Sequence, residues 1–145
     1  MAGDFAVEIT GLPELAASLT VLGEASDAAT GELVRQLQAE LVRRAQDNFQ
    51  GTHAPHRPHV GGKFPNIVTG NLQRSIFAEG TYRLTAGMWE GTVSPHAKYG
   101  RRVEMGYGKG PGGPNSPHPY FGPAVREVRD IAEAFAASAY GRVFA

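Results

Sequence analysis

Val93-Ser94-Pro95-His96-Ala97-Lys98-Tyr99-Gly100-Arg101-Arg102-Val103-Glu104 and its continuation Pro117-His118-Pro119-Tyr120-Phe121-Gly122-Pro123-Ala124-Val125 decide how the chain is read. An apolar strand end leads to a tyrosine and an acid, and the segment from Pro95 to Val103 predicts a short helix carrying Tyr99 and Val103. A glycine-rich loop follows. Aromatics held between prolines then open a helix near Gly122-Pro123, running to about Tyr140 with Val125, Val128, Ile131, Ala132 and Phe135 inward. No nucleophile elbow, metal cage or phosphate cradle is visible in this stretch. It reads as docking architecture.

Upstream, Ser75 to Leu84 and Met88 to Ser94 read as two strands joined at Thr85-Ala86-Gly87, with glycine supplying the turn. Phe77, Tyr82, Leu84, Trp89 and Val93 are the expected packing residues. Before them, Val68-Thr69-Gly70-Asn71-Leu72 offers Thr69 as the N-cap of a short helical turn whose Leu72 and Ile76 face the core.

Further upstream, Leu33, Val34, Leu37, Leu41, Val42, Ala45 and Phe49 form one apolar stripe at helical spacing. The helix is expected from a cap at Ser26 or Asp27 to about Asn48, with Arg35, Gln38, Glu40, Arg43 and Asp47 mostly off the stripe. A separate helix opening at Leu12-Pro13 carries Leu12, Leu15, Leu19 and Leu22 on one face and is expected to stop at Gly23. At the start, Phe5, Val7 and Ile9 alternate with polar or small residues, a period that predicts a short strand.

The 145 residues suit one domain, expected to span 1–145. With 41% hydrophobic and 19% charged residues, the chain should fold, its 19 glycines and 10 prolines gathering in loops at about 51–65 and 106–118. The fold class that follows is α+β: a small antiparallel sheet packed against a long amphipathic helix and a C-terminal helix. A formal charge of zero removes the simplest argument for a broad nucleic-acid-binding face. The absence of cysteine excludes disulfides and thiolate chemistry and suits a reducing compartment. With neither a secretory signal nor an apolar run long enough for a bilayer, the expectation is a soluble, cytosol-made protein.

Four local patterns invite a chemical reading. His53, His56 and His59 recur every three residues around Arg57, but intervening prolines hold that segment extended and no acid lies near in sequence, so a polar loop is the better reading than a metal site. Gly106-Tyr107-Gly108-Lys109-Gly110 lacks the Ser or Thr and the helix that a P-loop requires. Glu104 with His96 or His118 is the one acid–base pair to consider, although Glu104 could equally pair with Arg101, Arg102 or a neighbouring subunit. Neither an enzyme nor a cofactor is expected. Tyr99, Tyr107, Tyr120 and Phe121 mixed with Lys98, Arg101, Arg102 and Lys109 suit either a single-strand binder or a protein–protein hot spot.

Four features taken together resemble the small tail-component and head–tail joining proteins of long-tailed bacteriophages. They are the opening strand with Gly11-Leu12-Pro13-Glu14-Leu15, the motif Thr69-Gly70-x-Leu72-x-x-Ser75-Ile76, the run Val93-x-x-x-x-Ala97-x-Tyr99 with Val103-Glu104, and Pro119-Tyr120-Phe121-Gly122-Pro123-Ala124. The chain departs from that family's pattern after the acid, where Met105-Gly106-Tyr107 replaces Gly-Thr.

The resemblance implies a structural part of the virion neck or upper tail, made in the host cytoplasm. It would assemble as a ring, commonly hexameric, around the DNA channel and join head to tail or terminate the tail tube. Implied partners are copies of itself, portal-side or tail-tube proteins, and DNA passing without sequence-specific contact, with no membrane. The residues expected to dock are His53, His56, Arg57, His59, Arg101, Arg102, Glu104, Tyr107, Lys109, His118 and Tyr120. Thr69, Gly70, Leu72, Ser75, Tyr99, Phe121 and Pro123 are expected to set the fold. The alternative functions are a nucleic-acid-binding module at 98–109 and a metal-dependent enzyme using the histidine loop.

Overall fold

A computed structural model describes residues 12–51, 63–65, 67, 69–106 and 116–145. The expected strand at Phe5–Ile9 lies outside them. The elements are α1 (Leu12–Asp47), α2 (Asn71–Arg74), β1 (Ile76–Thr85), β2 (Met88–Pro95), α3 (Gly100–Met105) and α4 (Phe121–Phe144). The architecture is the expected α+β: a two-stranded antiparallel sheet and a C-terminal helix, both packed on one long helix.

The two helices expected on either side of Gly23 are one helix of 36 residues. A single glycine costs only about 1 kcal/mol against alanine in a helix interior, and the flanking leucines, alanines and glutamates are good helix formers with no proline among them. Ser26 and Asp27 therefore lie inside α1 and cap nothing. The Asp27 carboxylate turns instead to the hairpin.

α4 lies antiparallel along α1. The Thr30 and Tyr140 hydroxyls meet at 2.7 Å, and Arg44 pairs with Glu127 on the other side of the contact. The hairpin packs on a second side of α1. It turns through Gly87, whose φ of 74° is costly for a residue with a Cβ. Its pairing runs from Ile76 opposite Pro95 to Thr85 opposite Met88, with irregularities between Ala78 and Thr81 and between Arg83 and Thr85.

Among the described residues, only one face of this hairpin is covered. Phe77, Tyr82 and Leu84, expected to pack, are 47%, 63% and 53% exposed, because successive side chains alternate faces and α1 covers the other one. Phe77 finds its partner on the open face, stacked on His96 with ring centroids 3.9 Å apart. Trp89 and Val93 are half-buried, as residues on the helix side should be.

The core gathers at the C-terminal end of α1. Ala45, Phe49, Leu72, Ile76, Tyr120 and Ala124 are buried together, with Leu41, Ile67, Val93, Ala97, Val103 and Phe121 around them. Most of the sequence motifs therefore converge on one place. Leu72 and Ile76 enter from α2 and β1, and Tyr120 and Ala124 from the start of α4. Val125, expected inward, points out, while Val128 one turn along is buried.

The turn around α2 shows why its motif has that spacing. Gly70, rather than Thr69, takes the N-cap position, with φ 73°. Thr69 stands one residue earlier and accepts a hydrogen bond from the Asn71 N–H at 3.3 Å. Ser75 closes the turn: its hydroxyl donates to the Leu72 carbonyl, and its own carbonyl accepts from the His96 N–H.

Candidate docking surface

Glu104 organises the junction of α3 and α4. One oxygen accepts the N–H groups of Tyr120 and Phe121 at 2.7 and 2.9 Å, and the other accepts that of Gly122 at 2.8 Å. The first N–H groups of a helix have no partner inside it, and a carboxylate also complements the positive end of the helix dipole. Glu104 is thus a cap supplied from 16 to 18 residues upstream. A Cβ on Gly122 would stand 2.9 Å from the same carboxylate, which accounts for glycine after the aromatic pair.

This arrangement corrects three expectations. Glu104 pairs with neither His96 nor His118 as an acid–base couple, and both its oxygens are engaged inside the fold rather than offered to a neighbour. Tyr120, expected at an interface, has no exposed surface and packs on Phe49 at 4.9 Å. Its carbonyl accepts from the Asn48 side chain at 2.8 Å, tying α4 to the end of α1. His118, also expected to dock, is buried. Its backbone N–H donates to the Val103 carbonyl, and its Nδ1 lies 3.0 Å from the Lys63 carbonyl. A carbonyl only accepts, so Nδ1 carries the proton.

Burial pushes the Tyr120 phenol well above its ordinary range, with the Glu104 charge adding to the shift. The hydroxyl has no hydrogen-bond partner among the described residues. It lies where a Cβ on Gly100 would stand, at 2.9 Å, so the first residue of α3 is a glycine fitted against the core tyrosine. Tyr99, expected to set the fold, is 45% exposed just before α3.

With Glu104 turned inward, the outer surface of α3 is basic. Lys98, Arg101 and Arg102 are exposed there. Beside them runs an open groove of about 500 Å³ walled by Pro95, His96, Ala97, Met105 and Phe121. Arg101 and Arg102, expected to dock, are exposed on α3. His53, His56, Arg57, His59, Tyr107 and Lys109 lie outside the described residues. Among the described residues no group of three or more His, Asp or Glu could hold a metal ion, and no helix is long and apolar enough to cross a membrane.

Two positioning residues escaped the periodicity argument. Gln38, placed off the apolar stripe, is buried between α1 and the hairpin. Its Nε2 donates to the Glu79 and Thr92 carbonyls at 3.2 and 2.9 Å, and its Oε1 accepts from Thr81 at 2.6 Å. Asp27 accepts from the Gly87 N–H at 2.6 Å and the Trp89 indole at 3.1 Å, and pairs with Arg83 at 2.7 Å. Trp89 in turn presses on Gly31, where a Cβ would stand 2.9 Å from the ring. Glycines within a helix and a strand mark close approach, and Gly31 and Gly91 were the available signals.

The chain matches no family model, no curated protein and no solved structure in the comparisons made.

Proposed function

We propose that the protein is a structural ring component of a long-tailed phage neck or upper tail, joining head to tail or terminating the tail tube around the DNA channel. The observation that carries this reading is the amount of apolar surface left uncovered on two sides of a small core. Leu12, Leu15 and Leu19 are each more than half exposed on α1, and Tyr82, Leu84 and Met88 are so on the hairpin. Contiguous apolar surface of this kind marks association rather than a finished monomer.

The motif resemblance supports the same reading from the sequence side, since Leu72, Ile76, Tyr120 and Ala124 form one shared core. Within the proposal, the ring is hexameric, its neighbours are portal-side or tail-tube proteins, and DNA passes through without being read. The test is the native mass of the pure protein together with imaging of particles that carry it. A closed ring at the neck or tail top supports the assignment. A chain absent from any particle removes it.

One observation favours a second reading. Lys98 and Arg101 are exposed beside Tyr99, a mixture that can track phosphates and stack bases. A gel shift that weakens steeply with salt would support a nucleic-acid-binding module there. No shift at low salt disposes of it.

A further inference from the structure

Gly23 is a helix-interior glycine that no neighbour requires. At Gly31, Gly100 and Gly122 a Cβ would stand 2.9 Å from Trp89, Tyr120 and Glu104 respectively, so packing accounts for each of them. Gly23 has nothing within 4 Å. The same holds of Gly141, in the last turn of α4 at this end of the molecule.

Its position along α1 coincides with the place where support from the rest of the fold ends. The Thr30 hydroxyl meets Tyr140 of α4, and Asp27 holds the hairpin turn through Gly87. Val143 shares a shallow groove with Leu22 and Ala25 just before α4 stops at Phe144. On the other side an open groove of about 650 Å³ runs between Thr20, Gly23 and Glu24 on α1 and Ala86 and Gly87 of the hairpin. Every residue from Leu12 to Ala25 is exposed, and burial begins at Ser26.

What stands before Gly23 is helical for local reasons alone. Pro13 and Glu14 suit a first turn. No Lys or Arg precedes Arg35, so no ion pair spans the turns of this segment. The Ser18 and Thr20 hydroxyls bond back to the Glu14 and Ala16 carbonyls at 2.9 and 3.0 Å, a contact that bends and slightly weakens helices. A helix shorter than about 12–15 residues is marginal in water on its own. Growth from the rest of α1 avoids the cost of a new nucleus, but it must pass Gly23, where glycine lowers helix population about fivefold against alanine.

We propose that Gly23 is a hinge: the segment 12–22 is an arm that opens and reorients independently, while α1 from Ser26 onward stays fixed to α4 and the hairpin. The arm carries Leu12, Leu15 and Leu19, each more than half exposed, so the hinge lets one apolar face be presented in several directions by a rigid domain. The hinge belongs to the single chain, and the ring reading neither supports it nor falls with it.

Native-state hydrogen exchange on the full chain is the first test. Amides 16–23 should exchange within about tenfold of the unstructured rate, and amides 34–45 at least about a hundredfold more slowly. Gly23→Ala should slow amides 16–23 about fivefold and leave the denaturation midpoint where it was. Gly23→Pro, which breaks the helix at that point, should free amides 16–22 completely, again with an unchanged midpoint. Equal protection across α1, an arm indifferent to Gly23→Ala, or a midpoint lowered by Gly23→Pro would each overturn the hinge.

Reorientation is read separately by distances between spin labels, since the chain has no cysteine of its own. The pair Leu15→Cys with Glu90→Cys should give a broad distribution that narrows when Gly23→Ala is added. The pair Glu90→Cys with Asp130→Cys, both within the fixed part, should stay narrow. Equal widths for the two pairs would show that α1 moves as one rod and would remove the proposal.

Discussion

Gln38 and Gly91 are fitted to one another across the helix–hairpin contact: a Cβ on Gly91 would stand 2.6 Å from Gln38 Oε1 and 2.7 Å from its Nε2. The absent side chain lets the amide reach the Glu79 and Thr92 carbonyls and the Thr81 hydroxyl at the irregularity between Ala78 and Thr81. A buried amide is stabilising only while its partners are met. Gly91→Ala should cost about 1–3 kcal/mol through overpacking. Gln38→Ala should cost a similar amount, about 1–3 kcal/mol, by leaving strand groups unpaired. Because both changes disturb the same contact, the double variant should fall short of the sum. Urea midpoints for the four proteins of the cycle read this directly, and strict additivity would show that the two residues act separately.

Glu104 joins two elements, α3 and α4, that stand apart along the chain. Glu104→Ala leaves the N–H groups of Tyr120, Phe121 and Gly122 without their acceptors. A lost cap costs about 0.5–2 kcal/mol, and the upper end applies to three amides beside a core tyrosine. Glu104→Gln keeps one acceptor oxygen and should lose less. Hydrogen exchange should accelerate first at the start of α4 and leave the middle of α1 unchanged. Uniform acceleration would mean that Glu104 supports the whole fold rather than this junction.

The elements legible in the sequence were those with a local cause. The stripe ending at Ala45 and Phe49, the turn at Gly87 and the motif with Leu72 and Ile76 announced themselves through spacing and backbone preference. What remained hidden depended on partners far along the chain. Gln38 looks like any polar helix residue until the hairpin is laid on it, and Asp27 looks like a cap until Gly87 and Trp89 arrive some 60 residues later. Tyr120 and His118 look like hot-spot residues by type, but both are buried, Tyr120 against Phe49 and His118 with its N–H on the Val103 carbonyl. The glycines differ in what they report. Gly23 lies within α1 rather than ending it, with nothing near it, whereas Gly31, Gly91 and Gly100 report close approach of another side chain.

The buried Tyr120 hydroxyl, which has no partner among the described residues, gives a test of opposite sign. Its ring packs among Phe49, Leu72 and Ala124, so truncation to Ala should cost about 3–5 kcal/mol as a cavity opens. Tyr120→Phe keeps the ring and removes a polar group that finds no acceptor among the described residues. Relief of an unmet desolvation cost should leave stability unchanged or raise it by about 1 kcal/mol. Thermal unfolding of the two variants beside the parent separates these effects. A clear loss for Tyr120→Phe would mean that the hydroxyl is hydrogen-bonded.

Two carboxylates should shape the acid side of the stability profile. The Gly87 N–H, chiefly, holds the Asp27 carboxyl below its ordinary value, with Trp89 and Arg83 adding to it. Arg43, then Arg44, hold Glu40 down to about 2 from an ordinary 4.5. A carboxylate whose folded pKa is depressed contributes stability that is full above its unfolded value and fades as pH falls toward the folded one. For Glu40 that window runs from about 4.5 down to about 2. Asp27 should lose its contribution over a window beginning near 3.8 and extending below it. Asp27→Asn should therefore destabilise the protein at neutral pH and approach the parent as acid is added. Glu40→Gln should do the same over its own window. Denaturant midpoints measured from pH 7 to pH 3 should show both gaps narrowing on the acid side. A gap for Asp27→Asn that stays constant across that range would mean that its hydrogen-bonding shape, rather than its charge, holds the hairpin to α1.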